Sequence, residues 1–219
     1  MKPERKRIPV PWEQFPRKGQ WGFYDSCADP HVGLTIEADM TAFYHFCKRE
    51  GIPIGAGLIC LTARCANEVP EFRLRIDPAT RQIYELTAPV AGYFVMGGGG
   101  VYNCTYTEYD TDFLQFTADC AADIAAAQRT ADFSSKPWQD GDGVTISLVP
   151  WVHFQHMTHP VIAKYHSDPR FALGKIVERD GKKWIPVNLL VHHALMDGIH
   201  MGAYFDCICD YFAHPETLL

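Results

Sequence analysis

Apolar residues recur along the chain with two different spacings, which predict two types of secondary structure. The segment HVGLTIEA (31–38) alternates between apolar and polar residues, as a half-buried strand does. In DMTAFYHFCKREG (39–51) the apolar residues fall on one helical face, so this segment is predicted to be a helix. Asp39 is placed to cap its N-terminus, and Gly51 is expected to end it.

Further elements follow from the same periodicities. Helices are predicted over 54–69, over 109–130 and from about Gly198 to Phe212, and strands within 71–97 and over 143–154, 171–178 and 183–193. MGGGGV (96–101) is expected to be a flexible turn and 134–143 a loop. Strands and helices do not alternate strictly, which favours a mixed α+β sandwich. No repeat or long linker interrupts 1–219, so a single domain is expected.

The composition narrows the classes of protein. The chain has 219 residues, of which 47% are hydrophobic and 13% aromatic, enough for a packed core. A net charge of −6 argues against a nucleic-acid partner held by bulk charge. No apolar stretch approaches the length of a membrane span, and the basic start MKPERKRIPVPW precedes no hydrophobic signal segment, so a cytoplasmic protein is expected. The eight cysteines lack CxxC spacing and are expected to be buried free thiols rather than zinc ligands.

The segment LLVHHALMDGIH (189–200) places histidines and an aspartate directly after an apolar run. Three interpretations of these residues compete. A metal site is disfavoured, because adjacent histidines on a strand point to opposite faces, and His192 and His193 then do not converge on one ion. In a purely structural role, one histidine lies at the strand end and Asp197 forms a tight turn with Gly198.

The third interpretation is general-base catalysis. His193 would take a proton from an acceptor hydroxyl or thiol, which requires a neutral imidazole at the working pH. A direct contact with Asp197 would favour the imidazolium and weaken the base. The carboxylate is therefore expected to pair with a separate cation and to serve as a scaffold.

HHALMDGIH (192–200) resembles the HHxxxDGxH signature of the chloramphenicol acetyltransferases, a branch of the HxxxDG acyltransferases. Other segments resemble this family in order and rough spacing, namely WEQFPRKGQWGFY (12–24), PEFRLRI (70–76), TEYDTDFLQF (107–116) and SLVPWVHF (147–154). The resemblance covers nearly the whole chain. It implies the family's α+β fold, a two-layer mixed sheet with packed helices. It also implies acetyl-CoA as co-substrate, no metal, and a homotrimer with active sites at the subunit interfaces.

The resemblance assigns roles to individual residues. His193 matches the catalytic base, and Asp197 matches a structural aspartate whose partner is an N-terminal arginine, here Arg17. This pair is expected to be buried or half-buried. Ser147 matches the serine whose hydroxyl stabilises the tetrahedral oxyanion. Lys175 matches a lysine beside the coenzyme A channel.

The acceptor pocket departs from the family pattern. Six positions are matched to it: Phe23, Tyr24, Tyr102, Met157, His159 and Ala172. The first three keep aromatic character. Met157 and His159 fall where a phenylalanine and a leucine contact chloramphenicol, and Ala172 falls where a threonine orders a water. The segment 155–170 is also shorter than in the family, and an imidazole in place of leucine makes an apolar wall polar.

Two classes of function follow from the resemblance. The first is an acetyl-CoA-dependent O-acetyltransferase that acts on chloramphenicol or on another small-molecule hydroxyl acceptor. The second is a non-catalytic trimeric protein that binds small molecules and keeps only the fold. Arg17, Ser147, His193 and Asp197 are present together, and packing alone does not require that set, which favours the enzyme.

Overall fold

The computed structural model describes residues 1–97, 100–130, 133, 136 and 141–219. The predicted turn at 96–101 and loop at 134–143 therefore lie partly outside the described residues. The described α-helices are α1 (Lys18–Ser26), α2 (Thr41–Arg49), α3 (Ile54–Glu68), α4 (Phe113–Gln128) and α5 (Gly198–Ala213). The described strands are β1 (Arg7–Pro9), β2 (His31–Asp39), β3 (Leu74–Ile76), β4 (Ile83–Leu86), β5 (Val90–Met96), β6 (Tyr102–Thr107), β7 (Gly143–Val149), β8 (Arg170–Gly174), β9 (Val177–Arg179) and β10 (Lys182–His192).

A mixed sheet organises the described part of the chain. Its strands lie in the order β2-β10-β8-β7-β5-β6, and β9 pairs with the beginning of β10. The pairs β5–β7 and β7–β8 are parallel, whereas the other pairs are antiparallel. A smaller antiparallel sheet has the order β1-β4-β3. This architecture confirms the predicted α+β fold.

Helices α2 to α5 pack on one another and form the second layer of the fold. The apolar positions of the central strands point toward them, because successive side chains alternate between the faces of a strand. Ile146 and Phe171 are fully buried in this core. The Phe171 ring lies 6.0 Å from the ring of Phe72 and 4.8 Å from that of Tyr204, which is on α5. Aromatic packing of this kind joins the sheet to the helical layer.

The other face of the central strands is polar. Thr145 and Ser147 alternate with the core residues of β7 and therefore point away from the helices. The register places Thr145 opposite Arg170, and Ser147 opposite Ala172 of β8. Asn188 of β10 pairs in turn with Ala172. A row of polar side chains thus crosses the face of the sheet that the helices leave free.

Several predicted boundaries were wrong. Helix α2 begins at Thr41 rather than at Asp39, which is the last residue of β2, and Met40 occupies the cap position. The Asp39 carboxylate still accepts a hydrogen bond from the Thr41 backbone N–H at 3.0 Å. The beginning of the region 71–97, within which strands were predicted, forms instead a 3-10 helix, Pro70–Arg73, because proline lacks a backbone donor and suits the first turn of a helix.

The predicted strand 143–154 was too long, since β7 ends at Val149 directly before Pro150. The predicted strand 171–178 is divided between β8 and β9. Helix α4 is shorter than predicted and begins after Asp112, whose side chain accepts a hydrogen bond from the Gln115 N–H. The periodicities did not predict α1, β1 or β6, which are short or weakly patterned.

All eight cysteines are free thiols. The expectation that they are buried holds for Cys47, Cys60, Cys65 and Cys120, whereas the remaining four are partly exposed. Within the described ranges, no helix has both the length and the apolar character that crossing a bilayer demands.

Candidate active site

His193 follows the last residue of β10, and its backbone N–H donates to the Pro30 carbonyl at 2.8 Å. The ring Nδ1 lies 3.0 Å from the carbonyl oxygen of Met196. A carbonyl oxygen only accepts hydrogen bonds, so Nδ1 carries the proton, and a neutral ring has its free lone pair on Nε2. Nε2 lies 3.3 Å from the Tyr24 hydroxyl, and the two rings stack with centroids 4.3 Å apart. The local contacts therefore fix both the tautomer and the orientation of this imidazole.

Arg17 holds the turn that follows His193. Its Nη2 donates to the His193 carbonyl at 3.0 Å, and its Nε donates to the Ala194 carbonyl at 3.3 Å. Its Nη1 lies 3.1 Å from the Asp197 carboxylate, so the predicted ion pair is present. The burial is unequal, because 10% of the Arg17 side chain is exposed against 49% of the Asp197 side chain. The pair thus joins a buried arginine to a half-buried aspartate, within the expectation of a buried or half-buried pair.

The Asp197 carboxylate is also the N-cap of α5. It accepts the Gly198 N–H at 2.6 Å, and His200 Nδ1 accepts the Asp197 backbone N–H at 2.9 Å. The Gly198 N–H and then the Arg17 guanidinium lower the pKa of Asp197 below its ordinary value. The carboxylate is thus committed to Arg17 and to the helix rather than hydrogen-bonded to the His193 ring, as the sequence argument required.

His192 is turned toward a different environment from His193. It is buried, its Nε2 donates to the Lys164 carbonyl at 3.0 Å, and its Nδ1 accepts the Ala194 N–H at 3.3 Å. Burial, followed by the charge of His31, lowers the pKa of His192 to about 4. The adjacent imidazoles do not converge, and the described residues contain no group of three or more His, Cys, Asp or Glu side chains that could hold a metal ion.

Ser147 lines a cavity of about 320 Å³ on the polar face of the sheet, here called the Ser147 cavity. Met157 and His159 line the same cavity. An adjoining cavity of about 380 Å³ shares Ser147 and Met157 and is also lined by Tyr102 and Trp151. Three of the six residues matched to the acceptor pocket therefore line the cavities at Ser147.

His159 gives the Ser147 cavity a polar wall. Its side chain is buried, and its Nε2 donates to the amide oxygen of Asn188 at 2.8 Å. The Asn188 amide in turn donates to the Thr35 hydroxyl at 2.9 Å. Burial lowers the pKa of His159, although the hydrogen bond with Asn188 acts in the opposite direction. A neutral imidazole held by an asparagine thus forms part of the cavity.

The remaining predicted residues line neither of these two cavities. Tyr24 contacts His193, and the neighbouring Phe23 on α1 is 69% exposed. Ala172 is fully buried beside Ser147 and lines neither cavity. Lys175 is exposed directly after β8, and its side chain makes no ion pair with any residue that the structure describes.

One chain does not bring Ser147 and His193 together. Ser147 is two strands from Asn188, roughly 9.6 Å at about 4.8 Å per strand. His193 lies five residues beyond Asn188, roughly 16.5 Å at about 3.3 Å per residue. Their Cα atoms are therefore separated by about 19 Å in the plane of the sheet. The predicted residues form two groups, one around His193 and one around Ser147.

Sequence reasoning missed four polar residues of the Ser147 cavity, namely Thr145, His166, Asp168 and Arg170. Two signals in the sequence were available. Thr145 precedes Ser147 by two positions and therefore shares its face of the strand. Arg170 begins the otherwise apolar segment RFALG, where a charged residue on a buried strand needs a polar partner or a ligand.

The chain is similar to known proteins over most of its length. The family model described as chloramphenicol acetyltransferase matches residues 8–208. A chloramphenicol acetyltransferase of Bacillus pumilus is 28% identical over 209 residues, which cover 94% of each chain. One of Streptomyces acrimycini is 27% identical over 215 residues, 96% of each chain. A solved chloramphenicol acetyltransferase structure superimposes with a TM-score of 0.87 at 23% identity, over 94% of this chain and 100% of that one, a likeness that concerns the fold alone. With matching residues from near its first strand into its last helix, the chain belongs to the chloramphenicol acetyltransferase family.

Proposed function

We propose that this protein is an acetyl-CoA-dependent O-acetyltransferase in which His193 is the general base. The hydrogen bond from Nδ1 to the Met196 carbonyl carries this proposal, because it leaves Nε2 as the basic nitrogen. Nε2 takes the proton of an acceptor hydroxyl as that oxygen attacks the thioester carbonyl. The Tyr24 hydroxyl, 3.3 Å from Nε2, marks where an acceptor hydroxyl would approach.

The Ser147 hydroxyl donates a hydrogen bond to the oxyanion of the tetrahedral intermediate. The intermediate then collapses, the carbon–sulfur bond breaks, and the protonated His193 returns its proton to the leaving thiolate. The products are the acetyl ester and free coenzyme A. Loss of an oxyanion donor of this kind costs on the order of 100-fold or more in rate.

The separation of about 19 Å between Ser147 and His193 supports a site shared between subunits. A base and an oxyanion donor that act on one carbonyl must lie within a few ångströms of it, which a single chain does not provide. We therefore propose a homotrimer in which His193 of one subunit faces the Ser147 cavity of the next. The exposed Lys175 is proposed to lie beside the coenzyme A channel.

The free cysteines support a reducing compartment, and we place the protein in the cytoplasm. For the acceptor, we propose a small hydroxyl compound and expect chloramphenicol to be acetylated less efficiently than by a typical family member. The supporting observation is the imidazole of His159 in the cavity wall. A polar group beside an apolar ring costs about 1–3 kcal/mol, or about 10- to 100-fold in specificity.

The catalytic assignment is tested by release of free thiol from acetyl-CoA across a panel of hydroxyl compounds. His193→Ala should lower turnover by several orders of magnitude without loss of folding, whereas His214→Ala, at an exposed histidine, should leave turnover unchanged. Turnover above about a tenth of the wild-type value in His193→Ala would contradict the assignment. No acetyl transfer to any compound by wild-type protein would favour the non-catalytic binding protein.

Mixing two inactive variants tests the shared site. His193→Ala and Ser147→Ala chains, expressed together, form trimers in which some interfaces combine an intact histidine with an intact serine. Random assembly gives about one quarter of interfaces of this kind, so about a quarter of wild-type activity should return. If both residues of a site came from one chain, no mixed trimer would contain a complete site. Sedimentation showing a stable monomer at micromolar concentration would equally contradict the trimer.

A further inference from the structure

The Ser147 cavity contains buried charge that the acetyl-transfer mechanism does not use. Arg170 and Asp168 both line it, and 9% and 7% of their side chains are exposed. His166, also in the lining, lies between them, with Nε2 at 2.8 Å from the Asp168 carboxylate and Nδ1 at 2.6 Å from Arg170 Nη2. Burying a guanidinium in a cavity wall is unfavourable unless negative charge compensates it.

The guanidinium of Arg170 is only partly paired. Its Nη2 contacts His166, and the same nitrogen lies 3.7 Å from the Asp168 carboxylate, beyond hydrogen-bond distance. Nε and Nη1 make no hydrogen bond to any residue in the described ranges, which leaves their N–H donors available at the cavity. An arginine held in this way can bind an anionic group of a ligand.

Asp168 does not neutralise the charge of this region by itself. It accepts a hydrogen bond from the Thr145 hydroxyl at 2.7 Å. Burial alone would raise the pKa of Asp168, but His166 and Arg170 lower it well below the ordinary range, so the carboxylate is ionised. Burial lowers the pKa of Arg75 to about 10, although the charge of Asp168 acts in the opposite direction, and the hydrogen bonds of this fully buried guanidinium go to backbone carbonyls. The Asp168 carboxylate is thus held by Thr145 and His166 and lies 3.7 Å from the Arg170 guanidinium.

We propose that the acceptor is a small hydroxy acid whose carboxylate binds Arg170 while its hydroxyl lies beside Ser147. The distance fits, because Arg170 is one strand and two residues from Ser147 on the same face, about 8 Å between Cα atoms. The carboxylate of the acceptor supplies the hydrogen-bond acceptor that Nε and Nη1 of Arg170 lack among the described residues. This inference rests on the proposed acetyltransferase function, and it adds the chemical class of the acceptor.

The test compares hydroxy acids with their methyl esters, which keep the hydroxyl but lack the charge. Wild-type protein should acetylate the free acids with a kcat/KM about 10- to 100-fold above that of the esters. Arg170→Met should remove this preference by raising the KM for the acid, and it should leave the KM for acetyl-CoA unchanged. Arg179→Met, at an arginine that is 52% exposed and pairs with Glu37 elsewhere, should keep the wild-type preference.

Two further measurements keep the inference separable from the proposed function. The double variant Arg170→Met with Asp168→Asn removes both charges, so that it folds even if the single variant leaves Asp168 unpaired and unstable. Calorimetry measures the affinity of wild-type protein for a hydroxy acid and for its methyl ester. This comparison tests the same preference without any turnover. Equal affinity for acid and ester, or a preference that survives in both variants, would overturn the inference even if acetyl transfer occurs. If Arg170→Met raised only the KM for acetyl-CoA, Arg170 would be assigned to a phosphate of coenzyme A, and the inference would also be overturned.

Discussion

Removing the Arg17 side chain should destabilise the protein far more than removing the charge of its partner Asp197. Arg17→Met keeps the buried length of the side chain but loses three hydrogen bonds, to the carbonyls of His193 and Ala194 and to the Asp197 carboxylate. Only 10% of the Arg17 side chain is exposed, so water replaces these bonds poorly. An unsatisfied buried acceptor costs about 1–3 kcal/mol.

The two partners differ because their burial differs. An ion pair with a half-exposed carboxylate contributes at most about 1 kcal/mol, since 49% of the Asp197 side chain is exposed. In Arg17→Met two buried carbonyls lose their hydrogen-bond donor. The costs of these losses are not fully additive, because the bonds come from one guanidinium. We therefore expect the free energy of unfolding to fall by about 3 kcal/mol. Asp197→Asn keeps an oxygen that can cap α5 and accept from Arg17, so it should cost about 1 kcal/mol.

Urea unfolding followed by circular dichroism measures both costs, with the variants and wild-type protein at one subunit concentration. Lys18→Met is the matched control, because Lys18 is the next residue and forms only a surface pair with Glu13. That control should stay within about 0.5 kcal/mol of wild type. An Arg17→Met variant as stable as the control would refute the reasoning, and so would an Asp197→Asn variant that costs as much as Arg17→Met.

Three further outcomes are expected. Phe171→Ala should cost about 3–5 kcal/mol in urea unfolding, because it removes a fully buried ring that packs against Tyr204 with centroids 4.8 Å apart, and a cost below about 1 kcal/mol would contradict this packing. The pKa of about 4 for His192 in the folded protein lies below the value of about 6.5 in the unfolded chain. The contribution of His192 to stability is therefore fully present above about pH 6.5, and the free energy of unfolding falls by about 1.4 kcal/mol per pH unit as the pH is lowered toward 4. In urea unfolding at several pH values, His192→Gln should show a smaller slope. Lys175→Met should leave the free energy of unfolding within about 0.5 kcal/mol and raise the KM for acetyl-CoA, whereas an unchanged KM would exclude a role in the coenzyme channel.

Much of the local structure could be predicted from the sequence alone. The alternating segment 31–38 and the apolar run before His192 became β2 and β10, and the helical periodicity at 54–69 became α3 within one residue at its end. These signals are local, because a strand or helix that buries one face repeats its apolar residues with its own period. The expectation that Asp197 pairs with a residue other than His193 also followed from the sequence, because a carboxylate in contact with the imidazole would favour its protonated form.

Only the tertiary structure decided which distant residues meet. Arg17 and Asp197 are 180 residues apart, and the spacing of residues contains no signal that joins them, so their link came from a family resemblance until the fold placed them at 3.1 Å. The Ser147 cavity depends in the same way on the pairing of β7 with β8, which sets Thr145 opposite Arg170. Strand order is chosen by burial summed over the whole sheet, whereas local periodicity specifies only that each strand has a buried face. The sequence by itself therefore determined the elements and the candidate base, and the packing of those elements determined the charge that surrounds Ser147.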